Sequence, residues 1–114
     1  MSVRRLVFSL GYRYRLHDKR LPGKPDLVFA GRRKVIWVHG CFWHGHRGCR
    51  YAKLPKTRVD FWSDKVNRNR ARDRRNQRQL RKAGWDSLVL WQCELKYVEK
   101  LTRTLHDFLE SETR

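Results

Sequence analysis

The chain is short of acid. Against 28 lysines and arginines it carries 11 aspartates and glutamates, for a net charge of +17. That imbalance points to a polyanionic partner, and nucleic acid is the commonest one. Charge sets only this class, because a structural RNA-binding protein carries the same balance. Long apolar runs are also missing. None exceeds four residues, as in Val35 to Val38, far below the roughly 20 residues of a membrane span. The expectation is therefore no membrane partner. No export signal is visible at the N-terminus, and localisation in the cytoplasm follows as an expectation. Cysteine is scarce and odd in number. Three cysteines cannot all pair internally, so metal ligation or free thiols fits better than a disulfide framework. Apolar content is a modest 39%, yet aromatics reach 12% with five tryptophans, which argues against disorder. At 114 residues the chain has room for one domain, 1–114, with one modest core.

Periodicity supplies the elements. Val3, Leu6, Val7 and Leu10 recur at helical spacing, and Gly11 stops the pattern. Tyr12, Tyr14 and Leu16 alternate with Arg13, Arg15 and His17, as in a half-buried strand. Leu21 to Pro25 is a turn-rich connector, after which Asp26 opens a second strand, Asp26 to Ala30. Gly31-Arg32-Arg33 turns the chain into a third, antiparallel strand, Lys34 to His39. Gly40 to Cys49 reads as an irregular loop. Thr57 is placed to cap a long helix, with Asp60 at its positive end and Gly84 beyond its C-terminus near Ala83. Asp86 to Trp91 is apolar on both faces, which suggests a central strand. Leu95, Val98, Leu101, Leu105 and Phe108 form the buried stripe of a last helix. The order helix, three strands, helix, strand, helix makes an α/β fold. Its mixed central sheet is flanked by helices, with a parallel pair across the long crossover.

Four constellations carry chemistry. Cys41, His46 and Cys49 are spaced C-x4-H-x2-C, and Cys93 follows the last strand. Three thiolates and an imidazole satisfy a tetrahedral Zn²⁺ with no open position, the pattern of a structural site. The competing reading is three unrelated cysteines. Asp26 lies at the mouth of a strand whose neighbour ends at His39, with His44 in the adjoining loop. A carboxylate there can hold Mg²⁺, and two imidazoles beside it suit phosphodiester hydrolysis. The competing reading is a turn cap and two ordinary loop histidines. The long helix has an inner stripe of Val59, Trp62, Val66, Asn69, Asp73, Asn76, Leu80 and Ala83, apolar at its ends and polar in the middle. Such a middle faces a polar site or ligand. Its other faces carry Arg68, Arg70, Arg72, Arg74, Arg75, Arg78 and Arg81, a run suited to phosphate contacts or simply to a solvated face. Finally, Phe42, Trp43 and Trp62 either insert between base pairs or cover the metal loop.

These residues also carry a family resemblance. Leu21-Pro22-Gly23-Lys24-Pro25-Asp26, Val38-His39-Gly40-Cys41-Phe42-Trp43-His44, Thr57-Arg58, Phe61-Trp62, Arg72-Asp73, Gly84-Trp85 and Trp91 to Leu95 resemble the very-short-patch-repair DNA mismatch endonucleases (Vsr). The match runs in order over nearly the whole chain. It implies a restriction-endonuclease-like core with a structural zinc site. It implies a Mg²⁺-dependent nick 5′ to the thymine of a T:G mismatch left by deamination of 5-methylcytosine. By position, Asp26 and the carbonyl of Val38 would ligate Mg²⁺, and His39 and His44 would flank the scissile phosphate and the attacking water. Cys41, His46, Cys49 and Cys93 would hold zinc. Phe42, Trp43 and Trp62 would form a wedge beside the mismatch, with Asn69 in polar contact near the site and Arg68 and Arg72 on DNA. The expected setting is a monomer on double-stranded DNA at the bacterial nucleoid, alongside mismatch-repair partner proteins.

Two departures follow. The family carries an N-terminal segment with a glutamate near the catalytic region and a DNA-clamping arm, and the chain is expected to lack both. Restriction-type nucleases often place acid-x-lysine on the third strand, where this chain reads Trp37-Val38-His39. Two alternatives therefore stand beside the mismatch endonuclease: a non-catalytic, zinc-stabilised DNA-binding domain, and a related nuclease with another DNA target.

Overall fold

The computed structural model describes residues 2–111. Its elements run α1 (Val3–Ser9), β1 (Arg15–Leu16), β2 (Leu27–Phe29), β3 (Lys34–His39), α2 (Val59–Lys82), β4 (Asp86–Trp91) and α3 (Val98–Glu110). The strands form one sheet in the order β1-β2-β3-β4. The first three are antiparallel neighbours, and β4 runs parallel to β3 from Lys34↔Asp86 to His39↔Trp91. The helical crossover through α2 gives the parallel pair, as its length requires.

Side-chain alternation sorts the apolar residues into two layers. Leu27, Phe29, Ile36 and Leu90 face α1 and α3, where they meet Val3, Leu6, Val7, Leu101, Leu105 and Leu109. Val28, Val35 and Trp37 face α2 and meet Leu80. Leu80 and Leu105 are fully buried, each worth roughly 1.5–3 kcal/mol of burial. This alternation also aims the site. Asp26 shares its phase with Val28, and His39 shares its phase with Val35 and Trp37, so both belong to the α2 side. Both lie at the end of the sheet where β3 and β4 finish.

Several expectations need correction. β4 is an edge strand and β3 is central. Both faces of β4 are apolar because helices cover both faces of the sheet, whatever a strand's place in the order. Thr57 does not cap α2. Arg58 holds the cap position in a left-handed conformation, φ 55°, with no side-chain cap bond. The first strand shrinks to two residues because β2 offers it only Leu27 and Val28 as partners. The buried stripe of α3 is Leu101, Leu105 and Leu109, while Val98 is exposed. The i, i+4 ridge is therefore displaced toward the C-terminus of the helix. That end is closed by one cation from the β2–β3 turn and one from the first residue of β3. Buried Lys34 donates from Nζ to Phe108 O at 2.6 Å, and Arg32 donates to Leu109 O at 2.8 Å, satisfying carbonyls that have no intrahelical partner.

Candidate active site

The loop that leaves β3 is wound into a compact coil. His44 N–H donates to Gly40 O at 3.1 Å, Gly45 N–H to Phe42 O at 3.3 Å, and His46 N–H to Cys41 O at 3.0 Å. Gly45 sits against α2 at φ 61°, and a Cβ there would come within 2.6 Å of both Arg70 Cδ and Val66 Cγ1. Only glycine allows this approach. The winding sends neighbouring side chains in different directions and gives the loop three separate surfaces.

One surface is a cluster of cysteine and histidine donors. Sγ of Cys41, Cys49 and Cys93 and a ring nitrogen of His46 lie within 4.8 Å of one another, with Cys93 Sγ 3.5 Å from His46 Nδ1. All three cysteines are free thiols. Burial, reinforced by the neighbouring Cys41 and Cys49 thiols, pushes the Cys93 thiol up to about 11. Three thiols and an imidazole converging at this distance are the donor types of a tetrahedral metal site, so the donor set fits a metal ion. The His46 ring stacks on Trp91, centroids 4.1 Å apart, which fixes its plane.

The second surface is catalytic in composition. His39, buried at the end of β3, stacks face to face on His44, with centroids 3.9 Å apart and planes 4° from parallel. Trp91 meets His39 edge-on at 5.3 Å. His44 Nδ1 lies 2.6 Å from Asp73 Oδ2. A carboxylate in that place receives Nδ1–H and leaves Nε2 as the ring's free nitrogen. Burial, with the neighbouring His44 adding to it, lowers the pKa of His39 to about 4, so His39 is neutral near neutral pH. Asp26 accepts the Val38 N–H through Oδ2 at 2.7 Å, and its Oδ1 is 3.8 Å from His17 Nδ1. Asp26, Val38, His39, His44, Arg72 and Asp73 all line one open cavity of about 620 Å³. Ring nitrogens of His39 and His44 and a carboxylate oxygen of Asp73 lie within 4.8 Å of one another, and Asp26 lines the same cavity outside that group.

The third surface is aromatic. Phe42, Trp43 and Trp62 meet edge to face, with centroids 5.0–5.9 Å apart. Phe61 joins Trp62 at 5.0 Å. Trp43 and Phe61 are 46% and 41% exposed, a large apolar area to leave in water. Asn69 Nδ2 donates to Trp43 O at 2.9 Å, and Arg72 donates to Asn69 Oδ1 at 2.9 Å. A polar chain thus runs from the cavity wall to the backbone of the aromatic loop. Arg68 lies exposed on α2.

The structure therefore brings together the expected metal donors, the expected acid with both histidines, and the three expected rings. The sequence reading placed Asp73 on the inner stripe of α2 without naming it as a site residue. Its signal was an isolated acid in a helix of arginines, on the polar middle of that stripe. Phe61 was likewise passed over as a ring of the exposed cluster, although it adjoins Trp62 in sequence.

A family model described as DNA mismatch endonuclease Vsr matches residues 1–50. The chain is 54% identical over 109 residues to the type II nicking enzyme V.XorIIP of Xanthomonas oryzae pv. oryzae, covering 96% of this chain and 79% of that one. It is 46% identical to the type II nicking enzyme V.NmeAIP of Neisseria meningitidis serogroup A, covering 82% of this chain and 66% of that one. It is 45% identical to the DNA mismatch endonuclease Vsr of Escherichia coli, covering 85% of this chain and 62% of that one. The chain belongs to the Vsr family of DNA mismatch endonucleases, and its class is DNA endonuclease. It spans a little under two thirds of the last two relatives.

Proposed function

We propose that this chain nicks one strand of double-stranded DNA 5′ to the thymine of a T:G mismatch, the product of 5-methylcytosine deamination, with Mg²⁺ as the catalytic ion. One observation carries the reading: Asp26, His39 and the His44–Asp73 pair line a single open cavity. An exposed aromatic cluster adjoins it through the Arg72–Asn69–Trp43 chain. The printed names of the relatives support it, since one is a mismatch endonuclease and others are nicking enzymes.

The Asp26 side chain is 34% exposed, and its carboxylate keeps acceptor capacity beyond the Val38 N–H bond. It suits Mg²⁺, which takes one or two carboxylates together with water and phosphate oxygens. The Val38 carbonyl is the proposed second protein ligand. When bound, the ion polarises the phosphoryl group and neutralises developing charge. His44 is placed to take a proton through Nε2 from the attacking water, while Asp73 orients the ring and stabilises the imidazolium. Water oxygen bonds to phosphorus as the bond to the departing sugar oxygen breaks, and that oxygen leaves with the electron pair and takes a proton from solvent. His39, neutral and stacked, holds the His44 ring plane.

In this proposal Cys41, His46, Cys49 and Cys93 hold a structural Zn²⁺. Phe42, Trp43 and Trp62 act as the wedge at the mismatch, and Arg68 and Arg72 contact phosphates. Residues 1–114 act as a single nuclease domain, monomeric, at the bacterial nucleoid, with mismatch-repair proteins acting on the same lesion. Asp26→Ala tests the reading. Nicking of a T:G duplex in Mg²⁺ should fall by about 10³-fold or more while duplex binding persists. Wild-type nicking by this variant would remove Asp26 from the mechanism.

A further inference from the structure

Asp73 forms a crest along α2 with a different trough on either side. Residues 69, 72 and 76 fall on one side of it and residues 70, 74 and 77 on the other, by helical geometry alone. Arg72 and Asn76 accordingly line the Asp26 cavity. Arg70, Arg74 and Gln77 line a second, open cavity of about 340 Å³, together with Arg47 of the loop after β3 and Val89 and Trp91 of β4. The two cavities share only the wall of His39, His44 and Asp73.

The second cavity is strongly cationic. Arg47, Arg70 and Arg74 bring three guanidiniums to it. Asp73, already bound to His44, is its only carboxylate among the described residues. None of the three guanidiniums makes a salt bridge or hydrogen bond among the described residues. Arg70 is also a positioned group. Gly45 presses on its stem so closely that a Cβ would come within 2.6 Å of Cδ, and the residue is half-buried. Unpaired guanidiniums around one concavity are costly to hold together and match the oxygens of a phosphate.

We propose that this cavity is a second phosphate-binding site, separate from the scissile position, in which Arg47, Arg70 and Arg74 hold a phosphate of the bound DNA. The inference rests on the reading of the chain as a DNA endonuclease. The arrangement places one phosphate on each side of the His44–Asp73 pair. A duplex gripped on both sides of its reacting group cannot slide along the cavity without breaking one contact. The site thereby sets which phosphate lies opposite Asp26.

The test compares wild type with Arg47→Ala and with Arg70→Ala/Arg74→Ala in binding to a T:G duplex with no divalent cation added. The double alanine variant should show a salt dependence of affinity flatter by about one unit of slope. A scan in which single phosphates are replaced by neutral methylphosphonates should find a position, away from the cut, that weakens wild type roughly tenfold. The same replacement should have little effect on the double variant. Arg70→Lys/Arg74→Lys should recover most of the salt slope, since charge is kept and packing is little changed. A double alanine variant with the wild-type slope and the wild-type scan would overturn the proposal. A free-phosphate site would look different: millimolar inorganic phosphate would raise the melting temperature of DNA-free wild type, not of the variant, while the scans coincided. That result would overturn the assignment to DNA. Nicking by wild type is read separately, so a failed scan leaves the endonuclease reading standing.

Discussion

The Cys41–Cys93 cluster and the Asp26 cavity share one loop and follow opposite rules. In the cluster, four donors from two separate stretches of chain close to within 4.8 Å, with Cys41 buried at 1% exposure. Three thiols and an imidazole at that spacing suit a closed tetrahedral shell with no position left for substrate. In the cavity, donors from the segment just before β2, from β3, the loop and α2 stand around about 620 Å³ of open space, and Asp26 remains one-third exposed. A hard carboxylate with space in front of it is suited to a labile cation, water and a phosphate. On the proposed reading, the closed site uses its ligands for shape and the open one for chemistry. Between them stands Trp91, stacked on His46 and edge-on to His39.

The cluster should be the more damaging place to disturb. Cys93→Ala leaves three donors, so purified protein should carry well under one zinc per chain by elemental analysis and melt at a clearly lower temperature. Nicking should be lost with it, because the loop that carries His44, Phe42 and Trp43 loses its anchor. A variant that keeps both one zinc per chain and the wild-type melting curve would show that Cys93 is no ligand.

Asp73→Asn separates chemistry from framework. The amide keeps the shape but removes the charge that stabilises a protonated His44, and it permits the wrong tautomer. Nicking should slow by about 10²–10⁴-fold, with zinc content and melting temperature unchanged and the pH dependence of the rate altered. An equal loss in zinc content or stability would make Asp73 a structural residue of the loop and remove it from proton handling.

How much of this could be read before the fold was known depends on whether the signal was local. β3 and β4 begin and end at the expected residues because turn chemistry and apolar runs bound them. The meeting of Cys41, His46, Cys49 and Cys93 was legible because the chain has only three cysteines, two of them in the His46 loop and one at a strand end. The layer logic was partly hidden. β4 read as central from its two apolar faces, yet the helices, and no further strand, cover those faces. The cap at Thr57 failed because Arg58 takes a left-handed backbone that no propensity announces. Asp73 was the hardest. In sequence it looks like a lone acid among arginines, and its partner His44 is 29 residues away. Only the coil of the metal loop against α2, made possible at Gly45, brings the pair together.

The smallest expected effect lies at the boundary between the two sites. If the cluster acts only by holding the loop, the ring between the sites is packing and carries no chemistry. Trp91→Phe keeps an aromatic face for His46 and an edge for His39 while removing the larger indole. One zinc per chain should remain, because the four donors are untouched. Nicking should fall by less than about tenfold, corresponding to roughly 1.4 kcal/mol of lost positioning at the transition state. The effect should appear when DNA is saturating, since Trp91 lies behind the histidines and not on the aromatic face. A loss as large as that of Asp73→Asn with zinc retained would mean that the His39–His44 stack depends on the cluster through this ring. The two regions would then form one mechanism with a metal at each end.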